Sequence, residues 1–167
     1  GASVKVPRDL PFDEYVALVA RSVSSMTAGA SFSLAGFSFG SQTAAALAAG
    51  RLQDRVRRLS LLAPSGWGDD GQAARALRRT LKGVTGAAER LNVLRHNLAA
   101  TQIADPAGVS DETLALQDYN IAHARYSSVV AGSLPILLHN LAGLSCPLQI
   151  MLGTRDVLQV PSVEWRI

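Results

Sequence analysis

Apolar and polar positions follow one another along the first third of the chain in the order helix, strand, helix, strand. Apolar residues recur at helical spacing over 12–26, which predicts a helix. Short apolar runs predict strands over 32–35 and 56–63, and the alanine-rich segment between them predicts a helix over 40–49. Strand, helix and strand within about thirty residues are typical of a βαβ unit, with parallel strands and a right-handed crossover.

The pattern changes after this unit. Residues 69–134 show no strand pattern, and Ser110 is placed to cap a helix that begins after it. The helices predicted in this stretch cover residues 72–82, 87–100 and 110–130. A further helix is predicted over 135–144, and a third buried strand over 148–152.

These patterns predict an α/β fold with a mostly parallel sheet and helices on both of its faces. We expect the sheet core to comprise residues 1–68 and 135–167. The segment 69–134, called the helical region below, is expected to be an all-helical insertion between them.

Composition narrows the classes of protein. The 167 residues are 48% apolar, enough for one core, and their longest apolar stretches are too short for a membrane span. The net charge is +3, but the sequence shows no aromatic platform and no known module for binding nucleic acid. We therefore expect neither nucleic acid nor, given the short apolar stretches, a membrane as a partner. Cys146 is the single cysteine; we expect a buried thiol and a cytoplasmic protein.

The first strand is followed by Gly-Phe-Ser-Phe-Gly at residues 36–40, called the elbow below. A G-x-S-x-G element between strand and helix holds its serine on a sharp, strained turn with the hydroxyl above the sheet. We expect glycine at both ends because a Cβ there would collide as strand and helix close together. Ser38 is therefore the candidate nucleophile, and the Phe39 N–H, at the helix N-terminus, a candidate oxyanion donor.

Two large apolar side chains are candidates for a substrate pocket beside this element. Phe37 precedes the serine, and Trp67 follows the second strand. Each is a candidate for the wall of a substrate pocket, and for each the alternative is ordinary packing against the core.

Three runs resemble the α/β-hydrolase family: SLAGFSFG at 33–40, RVRRLSLLAP at 55–64 and CPLQIMLGTRD at 146–156. They are similar, in order, to strand 5 with its nucleophile, strand 6, and strand 7 with its acid. The resemblance implies that Asp156 is the acid of a Ser-His-Asp triad. The alternative is an aspartate that satisfies the backbone of its own turn. Asp69 and Asp70 are expected to begin a helix.

The resemblance also implies a histidine after the acid, whereas His96, His123 and His139 all precede Asp156. We expect these three to be structural or surface residues. We further expect that the chain lacks the family's strands 1–4 and the segment with its histidine, and that it is inactive as it stands.

The expected function is hydrolysis by a serine enzyme of an ester, thioester, lactone or C–C bond in an apolar carbonyl substrate. No metal and no cofactor is expected. Two alternatives stay open: a hydrolase-fold protein that binds a ligand without catalysis, and an acyltransferase on the same fold.

Overall fold

A parallel sheet of three strands lies at the centre of the structure, a computed structural model that describes residues 5–68, 76–128 and 134–158. The strands are β1 (Phe32–Phe37), β2 (Val56–Leu62) and β3 (Leu148–Met151), in that spatial order. Phe37 pairs with Leu62, and Leu62 pairs with Met151. The carboxyl ends of all three strands therefore meet at one edge of the sheet.

Helices connect and cover these strands. The helices with described bounds are α1 (Phe12–Thr27), α2 (Phe39–Ala49), α3 (Ala87–Thr101), α4 (Asp111–His123) and α5 (Leu137–Ala142). The core is formed where α1, α2 and α5 meet β2, and its largest fully buried members include Leu47, Leu59, Leu61 and Leu137. The small side chains of α2 let this helix approach the sheet closely. The structure thus confirms the α/β class.

One face of the sheet carries this core, and the other is open among the described residues. Phe37, Leu62 and Met151 are paired neighbours, so their side chains share a face. They are 66%, 38% and 41% exposed. Of the two predicted layers of helices, the described part of the chain therefore shows one.

The helical region has a small core of its own. Its fully buried residues are Leu94, Leu98, Val109 and Leu114. Arg90 of α3 pairs with Asp118 of α4 at 2.6 Å. The Ser110 hydroxyl accepts the Thr113 N–H at 3.2 Å, which confirms the predicted cap of α4.

Two predicted boundaries in the helical region are wrong, each because a tertiary contact replaces the helix. Residues 78–82 are not helical: the Asn97 side chain accepts from the Arg79 N–H at 2.7 Å and donates to its carbonyl at 3.0 Å. The helix predicted over 110–130 ends at His123, where Ala124 turns to an extended backbone. Residues 69–75 and 129–133 lie outside the described part of the chain.

The remaining differences are small. β1 extends beyond the predicted stop at Gly36 because Gly36 and Phe37 still pair with β2. α5 is shorter than predicted, and Cys146 is half-buried rather than buried. No helix of the described residues is long and apolar enough to cross a membrane.

Candidate functional site

Ser38 occupies a tight bend between β1 and α2. Its backbone angles are φ 51° and ψ −119°, a conformation that residues with a side chain rarely adopt. Such a conformation costs about 1–3 kcal/mol and persists only where the surroundings enforce it. The bend is therefore the kind of strained backbone that the elbow motif predicts.

Backbone hydrogen bonds hold this bend on both sides. The Ser38 N–H donates to the Leu62 carbonyl at 3.0 Å, which continues the ladder between β1 and β2. The Ser38 carbonyl accepts from the Ser41 N–H at 2.9 Å and from the Ser65 N–H at 3.4 Å. The buried Ser41 hydroxyl donates to the Gly36 carbonyl at 2.8 Å, which ties the start of α2 to the end of β1.

The two glycines of the elbow differ. A Cβ on Gly36 would lie 2.5 Å from the Gly40 carbonyl oxygen and 2.7 Å from the Ser41 Cα, so only glycine fits there. A Cβ on Gly40 would meet no atom within 4 Å. The predicted need for glycine is correct at Gly36, while the collision predicted at Gly40 is wrong, because the helix leads that position away from β1.

The surroundings of the Ser38 side chain leave its hydroxyl available. Ser38 is half-buried, and its hydroxyl makes no hydrogen bond to another described residue. Phe39 is the first residue of α2, so its N–H has no partner within the helix. A donor of this kind beside a serine hydroxyl can stabilise negative charge that develops on a carbonyl oxygen.

Asp156 follows β3 at the same edge of the sheet. Since β2 lies between β1 and β3, Ser38 and Asp156 follow strands that are two spacings, about 10 Å, apart. The Asp156 Oδ1 accepts the Leu158 N–H at 2.9 Å, the turn contact of the alternative interpretation. Among the described residues its Oδ2 has no hydrogen-bond partner, so one oxygen stays available to a further donor.

The loop after β2 packs under the elbow through Gln42. This residue is fully buried, and its side-chain amide donates to the Ser65 hydroxyl at 2.9 Å. Gly66 has φ +97°, and a Cβ there would lie 2.6 Å from the Gln42 side chain. Gln42 is a residue that the sequence analysis missed, since an isolated glutamine in an alanine-rich helix carries no signal of burial.

The two predicted pocket residues lie in different surroundings. Phe37 is on the open face of the sheet and is largely exposed. Trp67 is half-buried and packs against the core, with its indole N–H donating to the Pro64 carbonyl at 2.7 Å. The structure therefore places Trp67 as a cover of the core beside the loop that contacts Ser38.

All three histidines lie within the described residues, and their hydrogen bonds there do not involve Ser38. The His96 Nε2 lies 3.1 Å from the Leu77 carbonyl oxygen, and the ring of His123 stacks on Tyr119. His139 is exposed on α5. None of them forms a hydrogen bond with Ser38 or Asp156. Asp69 and Asp70, which are predicted to begin a helix, lie outside the described residues.

Four aromatic rings, called the ring cluster below, meet beside the elbow: Phe12, Tyr15, Phe39 and Tyr126. The Tyr15 and Tyr126 rings stack with centroids 4.2 Å apart, and the Phe39 ring lies 5.9 Å from that of Tyr126. Burial raises the pKa of Tyr15, while a hydrogen bond with Thr43 lowers it. Burial, and to a smaller extent the neighbouring Tyr15, raise the pKa of Tyr126. Both phenols are therefore neutral near pH 7.

The meeting of these four rings was not predicted from the sequence. The ring cluster holds two of the three tyrosines and two of the four phenylalanines of the chain, and this scarcity is the one signal that the sequence offers. In the parts of the chain that the structure describes, no group of histidine, cysteine, aspartate or glutamate side chains is arranged to hold a metal ion.

Comparison with known proteins adds no assignment to this geometry. No protein-family model matches the sequence, and a search of curated proteins finds no significant match. What the molecule shows by itself is the class: an α/β protein with a strained serine between a parallel strand and a helix.

Proposed function

We propose that this protein is a serine hydrolase of the α/β-hydrolase family and that Ser38 is its nucleophile. The observation that carries the proposal is the left-handed backbone of Ser38 at the junction of β1 and α2. Backbone strain at a residue with a side chain is typical of functional sites, because it persists only where the surrounding structure enforces it.

In this mechanism the Ser38 Oγ attacks the carbonyl carbon of the substrate as its proton passes to a general base. Negative charge develops on the carbonyl oxygen, and the Phe39 N–H at the start of α2 stabilises it. Collapse of the tetrahedral intermediate expels the leaving group, which takes up the proton, and water then hydrolyses the acyl-enzyme. Asp156 orients the base through its available Oδ2.

We do not assign the base to His96, His123 or His139, because the first two contact residues away from Ser38 and the third is exposed on α5. The apolar side chains near the elbow favour an apolar carbonyl substrate, and the single cysteine fits a cytoplasmic location.

The test is labelling of the whole gene product with a fluorophosphonate, followed by fragmentation of the peptide that contains Ser38. We expect covalent label on Ser38, and its loss in Ser38→Ala. The matched control is Ser33→Ala, which removes an exposed serine from β1, the strand before Ser38, and should label like the wild type. Label that persists in Ser38→Ala, or appears on another serine, would refute the proposal.

A second candidate is a ligand-binding protein without catalysis. It is favoured by the Asp156 side chain, one oxygen of which is occupied by the Leu158 N–H of its own turn. An intact, folded gene product that binds a carbonyl ligand but takes no label at Ser38 would support this candidate against the hydrolase.

A further inference from the structure

The Phe39 ring is held by rings from two distant parts of the chain. Phe12 of α1 lies 5.9 Å from it, edge to face, and Tyr15 of α1 lies 5.8 Å from it. Tyr126 approaches from the segment that follows α4 of the helical region, with its ring at 5.9 Å and an interplanar angle of 30°. The side chain of the residue next to Ser38 is therefore enclosed by aromatic surface.

Tyr126 reaches this place because α4 ends early. The helix stops at His123, Ala124 is extended, and Tyr126 stacks on Tyr15 with an interplanar angle of 11°. The Ser127 N–H then donates to the Arg8 carbonyl at 3.3 Å. The segment after α4 thus contacts the sheet core next to the elbow, through the Tyr126 ring on Tyr15 and Phe39 and through the Ser127 N–H.

A second path leads from Tyr15 to the backbone of Phe39. The Thr43 hydroxyl, which lies beside that of Tyr15, donates to the Phe39 carbonyl at 3.4 Å. Tyr126 stacks directly on Tyr15. Residue 39 is therefore restrained at its ring by Tyr15 and Tyr126 and at its carbonyl by Thr43, which lies beside Tyr15.

We propose that Tyr126 is a positioning residue: by stacking on Tyr15 and Phe39 it fixes the orientation of the Phe39 N–H, and so couples the helical region to the reactivity of Ser38. This inference rests on the proposed function, in which that N–H stabilises the oxyanion. It adds that a residue of the helical region controls the donor without touching the reacting atoms.

The first experiment measures the conformation of residue 39 without any activity. Labelling the chain with ¹⁵N-phenylalanine gives four amide signals, from Phe12, Phe32, Phe37 and Phe39. Tyr126→Ala should shift the signals of Phe39 and Phe12 and leave those of Phe32 and Phe37. Tyr126→Phe keeps the ring and should restore the wild-type positions.

Tyr119→Ala is the matched control. Tyr119 is also a tyrosine of the helical region, it also stacks on a neighbour, His123, and it lies outside the ring cluster. All four signals should be unchanged in this variant. An unshifted Phe39 signal in Tyr126→Ala, or an equal shift in Tyr119→Ala, would overturn the inference. A general loss of signal dispersion in Tyr126→Ala would show a folding defect. Tyr126→Phe must then restore the wild-type spectrum for the inference to stand.

The second experiment measures the rate of Ser38 labelling in the whole gene product. Tyr126→Ala should slow it about tenfold, less than the 10² to 10³ typical of a deleted oxyanion donor, because the N–H is displaced rather than removed. Tyr126→Phe and Tyr119→Ala should keep the wild-type rate. An unchanged rate in Tyr126→Ala would overturn the coupling to Ser38. A wild type that takes no label would refute the nucleophile itself, while a shifted Phe39 signal would still support the hold of Tyr126 on residue 39.

Discussion

The helices of the sheet core and of the helical region differ in the share of their residues that is buried. α2 buries seven of its 11 residues, including Ser41, Gln42 and Thr43, whereas α4 buries only Leu114 of its 13. The polar residues buried in α2 have hydrogen-bond partners in the elbow or in the loop after β2, so they specify backbone positions as well as filling space. α4 is instead held by the buried Leu114, the half-buried Ile121 and ion pairs near the surface.

This difference explains where strain can be sustained. The positive-φ conformation of Ser38 persists where its neighbours exclude relaxed alternatives, and the densely packed core supplies such neighbours. The Arg90–Asp118 pair of the helical region has side chains that are 32% and 38% exposed, and such pairs contribute about 0–1 kcal/mol. The helical region is therefore suited to shape a site, and the core to hold its reactive group.

The largest effect is expected from emptying each apolar core in turn. Leu59 and Leu94 are each 1% exposed, one in each region. Leu59→Ala should lower the free energy of unfolding by about 3 kcal/mol, and Leu94→Ala should cause a local loss of similar size. Hydrogen exchange read by mass spectrometry should show faster exchange in all elements for Leu59→Ala, but only in α3 and α4 for Leu94→Ala. Equal acceleration of α2 by both variants would mean that the two regions unfold as one.

A smaller effect should distinguish the two glycines of the elbow. Gly36→Ala forces a Cβ against the backbone of Gly40 and Ser41, so we expect a loss of about 2 kcal/mol in urea unfolding. Gly40→Ala enters open space inside a helix and should leave stability unchanged or raise it by about 0.5 kcal/mol. If both substitutions destabilise equally, the close approach at Gly36 does not exist in solution.

The smallest effect is expected at the joint between the regions, at alkaline pH. Tyr126 has a raised pKa in the folded protein, so the neutral phenol is favoured by folding. The contribution of the neutral Tyr126 phenol to stability is complete at a pH below 10.0, the ordinary pKa of tyrosine. It is lost as the pH rises through the pKa of the folded protein. We therefore expect the free energy of unfolding in urea to fall less between pH 7 and pH 11 in Tyr126→Phe than in Tyr119→Phe. An identical loss in the two variants would contradict burial of Tyr126.

Much of the fold was predictable because its signals are local. The apolar runs of β1 and β2, the alanine-rich α2 and the cap at Ser110 are each encoded within a few residues, and the structure has all four. The predictions that failed depend on distant partners. Asn97 replaces helical hydrogen bonds at Arg79, and the stacking of Tyr126 on Tyr15 accompanies the early end of α4.

For the candidate site the division is similar. The spacing of residues 36–40 predicted where a strained serine would lie, and the parallel pairing of the strands brings the end of β3, which Asp156 follows, to the same edge of the sheet. The spacing treats Gly36 and Gly40 alike, and only the direction in which α2 leaves β1 makes them different. The roles of Ser38, Phe39 and Asp156 in chemistry stay predictions until labelling tests them.

The sequence by itself determined the order of strands and helices and the position of the elbow, because hydrophobic periodicity, glycine and capping residues act over a few positions along the chain. The tertiary structure alone decided the backbone angles of Ser38 and the meeting of Tyr126 with Phe39. Those features depend on hydrogen bonds of Ser38 with Leu62 and Ser65 and on rings from α1, which reach the elbow only once the sheet is paired and the helices are packed on it.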